Sequence, residues 1–511
     1  MGTSDYTRRQ FIKTAATAAA GLSTFGCAAI APRLRPEIQR PDRPNLLFIW
    51  TDQQRADTME VYGNTKIHAP NLNRLAAESI VFQKAYVTQP VCTPSRSSVV
   101  TGLWPHTTGC TANNIPLPED TPCFPELLND PAYRTAYMGK WHLGDEIFLQ
   151  HGFHEWVSIE DLYISHYRPE RDRSLRSGYH HFLTELGYQP DLGDKFSRKF
   201  AASLPIEHCK PKFLELQACD FLRRHSRKPF ILYINFLEPH SPYSGPLNDE
   251  HDPAEIDLPA NFNDPLEENE PLRYRLLQEY YQANYGESEQ EYRELIARYY
   301  GLVTQVDRSV GAILNTLDEL GLRDSTIVVY TSDHGDMMGS HRMVTKQVMY
   351  EESSRVPWLV RIPQLADHNR IIKAPVSHID MVPTLMELLA GEADADLPGQ
   401  SLVPLIRGEK VAEDHVFIEW NPNVHRVKPG STLAPQSEMD RVAQERTRAV
   451  VSPDGWKLCL SDADKCQLFN LNSDPGETTN LYDPGRHQDV IRRLTDRIHR
   501  WQEKSRDQVV V

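Results

Sequence analysis

The sequence predicts an α/β protein whose central sheet is covered on both faces. Short, nearly continuous apolar runs at residues 45–50 (NLLFIW), 230–236, 326–330 and 358–362 have strand length and lack the alternation of a half-exposed strand. Between the second and third runs, Leu295, Tyr299, Leu302, Val306, Val310, Ile313, Leu317 and Leu320 recur at helical spacing, with Gly321 behind them as a C-terminal stop. Strands alternating with amphipathic helices make an α/β sandwich.

In chain order, Arg8-Arg9-Gln10-Phe11-Ile12-Lys13 followed by a small, apolar stretch at 14–31 reads as a twin-arginine export signal, with Ala29-Ile30-Ala31 as a cleavage site. The apolar part is too short and Ala-rich to span a bilayer, and no later segment is apolar enough to do so. A periplasmic or secreted protein is expected. Cys27 offers lipid attachment as the alternative, but Thr24-Phe25-Gly26 before it makes a poor lipobox. Residues 42–396 are expected to form one catalytic domain. Within it, residues 246–290 are acidic and read as a surface excursion. Residues 391–408 read as a linker. Strands from Val416 and Ala449 and a helix from about Asp489 then give a smaller α+β domain over 409–511.

The 511 residues are 40% hydrophobic and 24% charged, an ordinary globular balance, and the net charge of −15 excludes the broad basic face of a nucleic-acid binder. Any anion site must be local. Beyond the signal the cysteines are Cys92, Cys110, Cys123, Cys209, Cys219, Cys459 and Cys466, an odd number. Cys459 and Cys466 flank a turn and can pair in an oxidising compartment, and no spacing matches a zinc site.

Residues 92–96, Cys-Thr-Pro-Ser-Arg, open a helix. Pro94 suits a first turn, and residues 97–100 carry the helix onward. Cys92 then lies at the positive end of a helix dipole with Arg96 one turn on, surroundings suited to an oxyanion; the plainer reading is a buried thiol beside a turn. The first strand runs into Asp52-Gln53 and the third into Asp333-His334, both at the carboxyl end of the sheet, where open α/β folds place ligands. Gly139-Lys140-Trp141-His142-Leu143-Gly144 sets a cation and an imidazole at alternate positions, as an extended segment would to point both one way. His240 follows another buried strand in Glu238-Pro239-His240-Ser241-Pro242, and Lys346 follows the segment 335–341. Singly, each is more often a cap or a solvated residue; their ordered co-occurrence reverses those odds.

CTPSR with Thr101-Gly102 behind it resembles the signature of type I sulfatases of the alkaline phosphatase superfamily. The resemblance implies a large mixed β-sheet flanked by helices, with a smaller C-terminal α+β domain. It implies that Cys92 is oxidised to formylglycine by a formylglycine-generating enzyme, and that Asp52, Gln53, Asp333, His334 and the residue-92 oxygen surround one divalent cation, usually Ca2+. The commonest pattern is Asp-Asp with Asp-Asn; neutral Gln53 and nitrogen-donating His334 depart from it, so Mn2+ or another borderline metal also suits the set. The same pairs resemble phosphonate monoester hydrolases and choline sulfatases of the superfamily.

By the same resemblance, one hydroxyl of hydrated formylglycine attacks sulfur. Arg96, Lys140 and Lys346 neutralise the sulfuryl oxygens, His240 protonates the leaving alcohol, and His142 deprotonates the second hydroxyl so that sulfate leaves. Segments 376–384, 397–402 and 468–475 also look sulfatase-like and are read as structural. For the substrate, Tyr163, Tyr167, Tyr179, Arg168, Arg171, Arg173 and Arg176 suggest a groove for anionic sugars, or else a solvated loop. A carbohydrate sulfatase leads, ahead of a broad arylsulfatase, a phosphonate or phosphodiester hydrolase, and a glycan-binding protein with a decayed site.

Overall fold

The computed structural model describes residues 43–363, 365, 370–392, 394, 396–424, 426–483 and 485–511, so the expected signal and Cys27 lie outside the described residues. Eight strands form the main sheet: β1 (Asn45–Asp52), β2 (Ile80–Tyr86), β3 (Arg134–Gly139), β4 (Glu155–Ser158), β5 (Phe230–Pro239), β6 (Thr326–Ser332), β7 (Arg355–Arg361) and β8 (Arg370–Ser377). Their order is β4-β3-β5-β1-β6-β7-β2-β8. β1 is parallel to both neighbours, β5 and β6, while β7 is antiparallel to β6 and β2, so the sheet is mixed.

Six helices matter to the site and its support: α1 (Cys92–Thr101), α2 (Lys210–His225), α3 (Leu272–Tyr285), α4 (Glu289–Glu319), α5 (Met381–Ala390) and α6 (Gln488–Ser505). The apolar run of β1 is continuous because its side chains feed two cores. Leu47 and Ile49 join one with Leu214, Val303 and Val306 of α2 and α4, while Leu46, Phe48 and Trp50 join another with Val99, Val382 and Leu385 of α1 and α5. α4 begins with a reciprocal Ser288–Glu291 capping box and ends before Gly321, whose φ is +69°.

A second, antiparallel sheet of β9 (Val416–Trp420), β10 (Thr447–Val451), β11 (Trp456–Ser461) and β12 (Gln467–Asn470) has the order β12-β11-β10-β9. α6 covers one face through Leu494, Ile498 and Trp501, which share a cluster with Trp104 and Ile379 from the main part of the chain.

Three expectations are corrected. Residues 246–290 are more than a surface excursion. They contain α3, which buries Leu272, Tyr274, Leu276, Leu277 and Tyr281, an apolar face hidden in an acidic composition. Residues 391–408 are packed rather than a free linker: Leu402 and Ile406 are buried with α5, and Gly399 is pressed so closely against the Ile379 carbonyl that a Cβ would fall 2.1 Å from its oxygen. Cys459 and Cys466 are free thiols. Cys459 stands opposite Gln467 in the β11–β12 register, so neighbouring Cys466 faces the other side of the sheet and packs into a different cluster.

The segment that opens α5 is structural, as expected. His378 is fully buried, with its Nε2 2.9 Å from Thr331 Oγ1, and burial pushes its pKa from 6.5 down to about 3. It is therefore neutral in the folded state. Between pH 6.5 and about 3 the unfolded chain binds the proton and the folded chain does not, so this residue makes stability fall by about 1.4 kcal/mol for each pH unit of acidification. H378Q should flatten that part of the pH dependence of urea unfolding; an unaltered slope would contradict the assignment.

Candidate active site

The site forms where β1, β5 and β6 end together. Thr51 pairs with Ser332, and Asp333 N–H donates to Thr51 O at 3.1 Å, which sets Asp52 and Asp333 side by side beyond the strands. α1 brings Cys92 at its first residue, following Val91 at the N-cap, with Pro94 in the first turn and left-handed Gly102 closing the far end.

Arg96 is fully buried and organises the two carboxylates. Its Nε donates to Asp333 Oδ2 at 2.8 Å, Nη2 to Asp52 Oδ2 at 3.0 Å, and Nη1 to Lys140 O at 2.7 Å and Asn235 Oδ1 at 3.0 Å. The guanidinium thus directs four hydrogen bonds to the protein's own acceptors, a positioning role beside the contact with sulfuryl oxygens that the resemblance implies. Lys140 Nζ also bonds Asp52 Oδ2.

With both Oδ2 atoms engaged on one side, the Oδ1 atoms turn to the other. His334 Nε2 lies 3.7 Å from Asp52 Oδ1, 3.5 Å from Asp333 Oδ1 and 3.1 Å from Cys92 Sγ. His334 Nδ1 is 2.9 Å from Gly335 O, so it carries the proton and leaves the Nε2 lone pair toward the cluster. The ligand atoms of Asp52, Cys92, Asp333 and His334 all lie within 4.8 Å of one another. Two carboxylate oxygens, one imidazole nitrogen and residue 92 suit a divalent cation. Gln53, expected in this set, approaches it differently. Its N–H donates to Asp333 Oδ1 at 3.0 Å, while its Oε1 accepts from Lys346 Nζ at 2.6 Å and its Nε2 donates to Tyr243 Oη at 2.8 Å and Asp336 Oδ2 at 2.5 Å.

The electrostatics favour negative charge. Burial opposes ionisation of Asp52, but Lys140, His240, Arg96 and Lys346 outweigh it and hold the carboxyl well below the usual range. Burial and Asp52 push the Cys92 thiol up, while Lys140, Lys346 and His334 pull it down further, to about 7.

The turn carrying Lys140 and His142 is not extended. Gly139 and His142 have φ of +122° and +59°, and a Cβ on Gly139 would fall 1.9 Å from Asn235 O, so only glycine fits there. Thr93 Oγ1 ties this turn to α1 by donating to His142 O at 2.8 Å. His142 Nε2 is 3.0 Å from Asn114 Oδ1, and buried Nδ1 has no hydrogen-bond partner. Burial, Lys140 and Arg96 hold this imidazole well below its ordinary pKa, so it is a neutral ring with an open lone pair at Nδ1. N114A should reduce kcat about 10–100-fold with little change in thermal midpoint. N114D should raise the His142 pKa and move the acid limb of kcat/KM to higher pH; an unmoved limb would count against His142 as the titrating base.

His240 Nδ1 lies 2.8 Å from Ser241 O and 3.3 Å from Arg198 Nη1, and burial with Lys346 lowers its pKa well below the usual value. Arg198 forks onto Glu160 at 2.7 and 2.5 Å and reaches Tyr163 Oη at 2.7 Å. The Tyr163 ring lies 4.4 Å from that of His142. The rest of the expected aromatic and basic groove is spent elsewhere: Arg168 and Arg171 pair with Asp145, Arg176 pairs with Asp194, Arg173 donates to Tyr167 O at 3.1 Å, and Tyr167 and Tyr179 are buried.

Sequence reading missed Asn113, Asn114, Arg198, Asn235, Tyr243 and Asp336. Asn113 Oδ1 accepts from Thr93 N in the first turn of α1, and Asn114 takes a left-handed φ of +66°. Adjacent asparagines are a recognisable turn signal, but nothing in their spacing points them at His142.

The family model described as "Sulfatase" matches residues 44–392, and that of the "N-sulphoglucosamine sulphohydrolase, C-terminal" region matches residues 339–504. The N-acetylglucosamine-6-O-sulfatase of Bacteroides thetaiotaomicron is 26% identical, over 96% of this chain and 90% of its own. Among solved structures, the phosphonate monoester hydrolase of Silicibacter pomeroyi superposes with a TM-score of 0.74 at 22% identity, covering 91% of this chain and 96% of that one. A protein solved with its substrate D-glucosamine-2-N,6-O-disulfate gives 0.71 at 24%, covering 91% and 99%. At these identities the solved structures establish the fold. The family match spans most of the chain and takes in the strand ends, the start of α1 and the cationic turn, and the chain therefore belongs to the sulfatase family and is a sulfuric ester hydrolase.

Proposed function

We propose that the enzyme removes sulfate from a sulfated poly- or oligosaccharide. Its nucleophile is the formylglycine made from Cys92 by a formylglycine-generating enzyme. Asp52, Asp333, His334 and residue 92 hold a divalent cation, Ca2+ in the first instance, with Gln53 alongside. Residues 42–396 serve as the catalytic domain and 409–511 as its C-terminal subdomain, and export follows the twin-arginine pattern of residues 1–31. The observation that carries the reading is the meeting of Cys92, Asp52, Asp333 and His334 within 4.8 Å, beside the unpartnered Nδ1 of His142.

The bound cation would supply positive charge against a sulfuryl oxygen. Arg96 fixes the ligand carboxylates, and Lys140 and Lys346 are cations beside them to meet the ester's anionic oxygens. His142 takes a proton at Nδ1. His240, held neutral by burial and its cationic neighbours, gains basicity when an anion enters, takes up a proton and can then return it to the departing alcohol. Tyr163 and Arg198 beside these imidazoles suit a sugar ring and an acidic substituent. The named substrates of the relative and of the solved complex are likewise sulfated glucosamines.

The test is sulfate release across defined sulfated mono- and oligosaccharides, after mass analysis of residue 92. Release from at least one sugar ester supports the proposal; turnover confined to aryl sulfates overturns it. Gln53 in place of an acid, together with the phosphonate monoester hydrolase neighbour, favours a second reading in which phosphonate monoesters are cleaved. Comparison of kcat/KM for matched aryl sulfate and aryl phosphonate esters decides between them.

A further inference from the structure

Behind the turn bearing Lys140 and His142 lies a second group of metal-ligating side chains with no part in the chemistry above. Cys123 precedes the short helix Phe124–Leu128, Glu126 lies within that helix, and His151 comes from the loop between β3 and β4. A sulfur, a carboxylate oxygen and a ring nitrogen of the three lie within 4.8 Å of one another. Cys123 is fully buried, whereas the Glu126 side chain is 38% exposed and leaves the group one open side.

His151 is the observation that points to a ligand. Its side chain is 2% exposed, neither ring nitrogen makes a hydrogen bond of ordinary length, and the groups that face the ring are Glu126, whose Oε2 is 3.7 Å from Nδ1, and the Thr121 backbone. Buried polar atoms left without good partners are destabilising, so an imidazole with two of them is a poor core residue unless something binds it. The site is also built. Glu126 Oε2 is fixed by the Cys123 N–H at 2.9 Å, and His151 adopts a left-handed φ of +50°. Gly152 follows at φ +74°, so close to the helix that a Cβ would fall 2.7 Å from Glu126 Cγ.

We propose that Cys123, Glu126 and His151 form a second metal site, for Zn2+ or a similarly borderline divalent ion, with water as the fourth ligand on the Glu126 side. One thiolate, one imidazole and one carboxylate are a donor set Zn2+ accepts and a hard cation such as Ca2+ does not seek. The 3.7 Å between the nitrogen and oxygen is close to the roughly 3.4 Å that two bonds of about 2.0–2.1 Å subtend in a tetrahedron. On binding, the thiol passes one proton to solvent; thiolate and carboxylate then balance the ion's charge, and nothing is oxidised or reduced.

The site would act as a clamp on the back of the catalytic turn. Trp141, between Lys140 and His142, lies 5.7 Å from the His151 ring. Glu146, in the loop leading to His151, accepts from the N–H groups of Trp141 at 2.8 Å and His142 at 2.7 Å.

The test uses the full chain carrying C92A, which removes the sulfur ligand of the first site. After chelator treatment, Co2+ is titrated into this parent and into C123S, H151A and E126Q made in the same background, each checked for folding by circular dichroism. A saturable near-ultraviolet thiolate-to-cobalt band is expected in the parent, whose first site retains only oxygen and nitrogen ligands and adds no such band. It should be absent from C123S and H151A and need at least tenfold more Co2+ in E126Q, which retains an oxygen to accept from the Cys123 N–H and so keeps the helix cap. Zn2+ should also raise the parent's thermal midpoint further than it raises that of C123S. A folded parent with no band, or the same band and affinity in E126Q, would overturn the proposal.

Discussion

C92A should lose sulfate-ester turnover by a factor on the order of 10^4 to 10^6, the range seen when an enzyme's nucleophile is deleted, while keeping its fold. Residue 92 is buried at the first position of α1, and truncating one sulfur removes little packing, so the thermal midpoint should move by only a few degrees. Cys92 contributes no structural hydrogen bond comparable to those of Arg96; its near neighbours are the candidate metal ligands Asp52 and His334. The loss should therefore appear in kcat, with the other groups of the pocket still in place. Steady-state release of sulfate, alongside circular dichroism and thermal unfolding, separates a missing nucleophile from a misfolded chain. A folded alanine variant retaining a tenth or more of the activity would remove residue 92 from the mechanism.

R96A should be as inactive, for a different reason. Asp52 and Asp333 are both completely buried, and Arg96 bonds the Oδ2 atoms of both. Deleting it leaves two adjacent carboxylates out of contact with water and opposed chiefly by Lys140, at an expected cost of about 3–5 kcal/mol in folding. R96K should not rescue it. A single ammonium cannot serve two carboxylates, the Lys140 carbonyl and Asn235 at once, as the planar fork does. Urea unfolding measures the stability loss. An R96K protein within 1 kcal/mol of the parent and fully active would show that this network is dispensable.

The two effects mark what the sequence does and does not disclose. The strands were legible because burial on both faces writes an uninterrupted apolar run, and α4 because 31 residues hold one helical period. α3 was not, since its buried face sits in an acidic composition. Residues announced by a local pattern, such as CTPSR or an Asp at a strand end, were found. Their direction was another matter. Arg96 looks like an oxyanion ligand one turn from Cys92, yet it also fixes Asp52 and Asp333. Asn114 reaches His142 through a left-handed turn, and Arg198 reaches His240 from 42 positions away. Such contacts are set by chain reversals and tertiary approach, which leave little periodic trace.

The pairing of Thr51 with Ser332 carries one further consequence. A slip of one position between β1 and β6 would carry Asp333 about 3.3 Å along its strand and exchange the side chains of the two sheet faces. The two carboxylates would then no longer confront each other, whatever the condition of residue 92. The alignment of two central strands, joined across 281 positions of chain, is thus the ruler against which the centre is measured. The chain between those strands delivers Cys92, Lys140, His142 and His240 to that ruler, and each reaches the centre only by being measured against it.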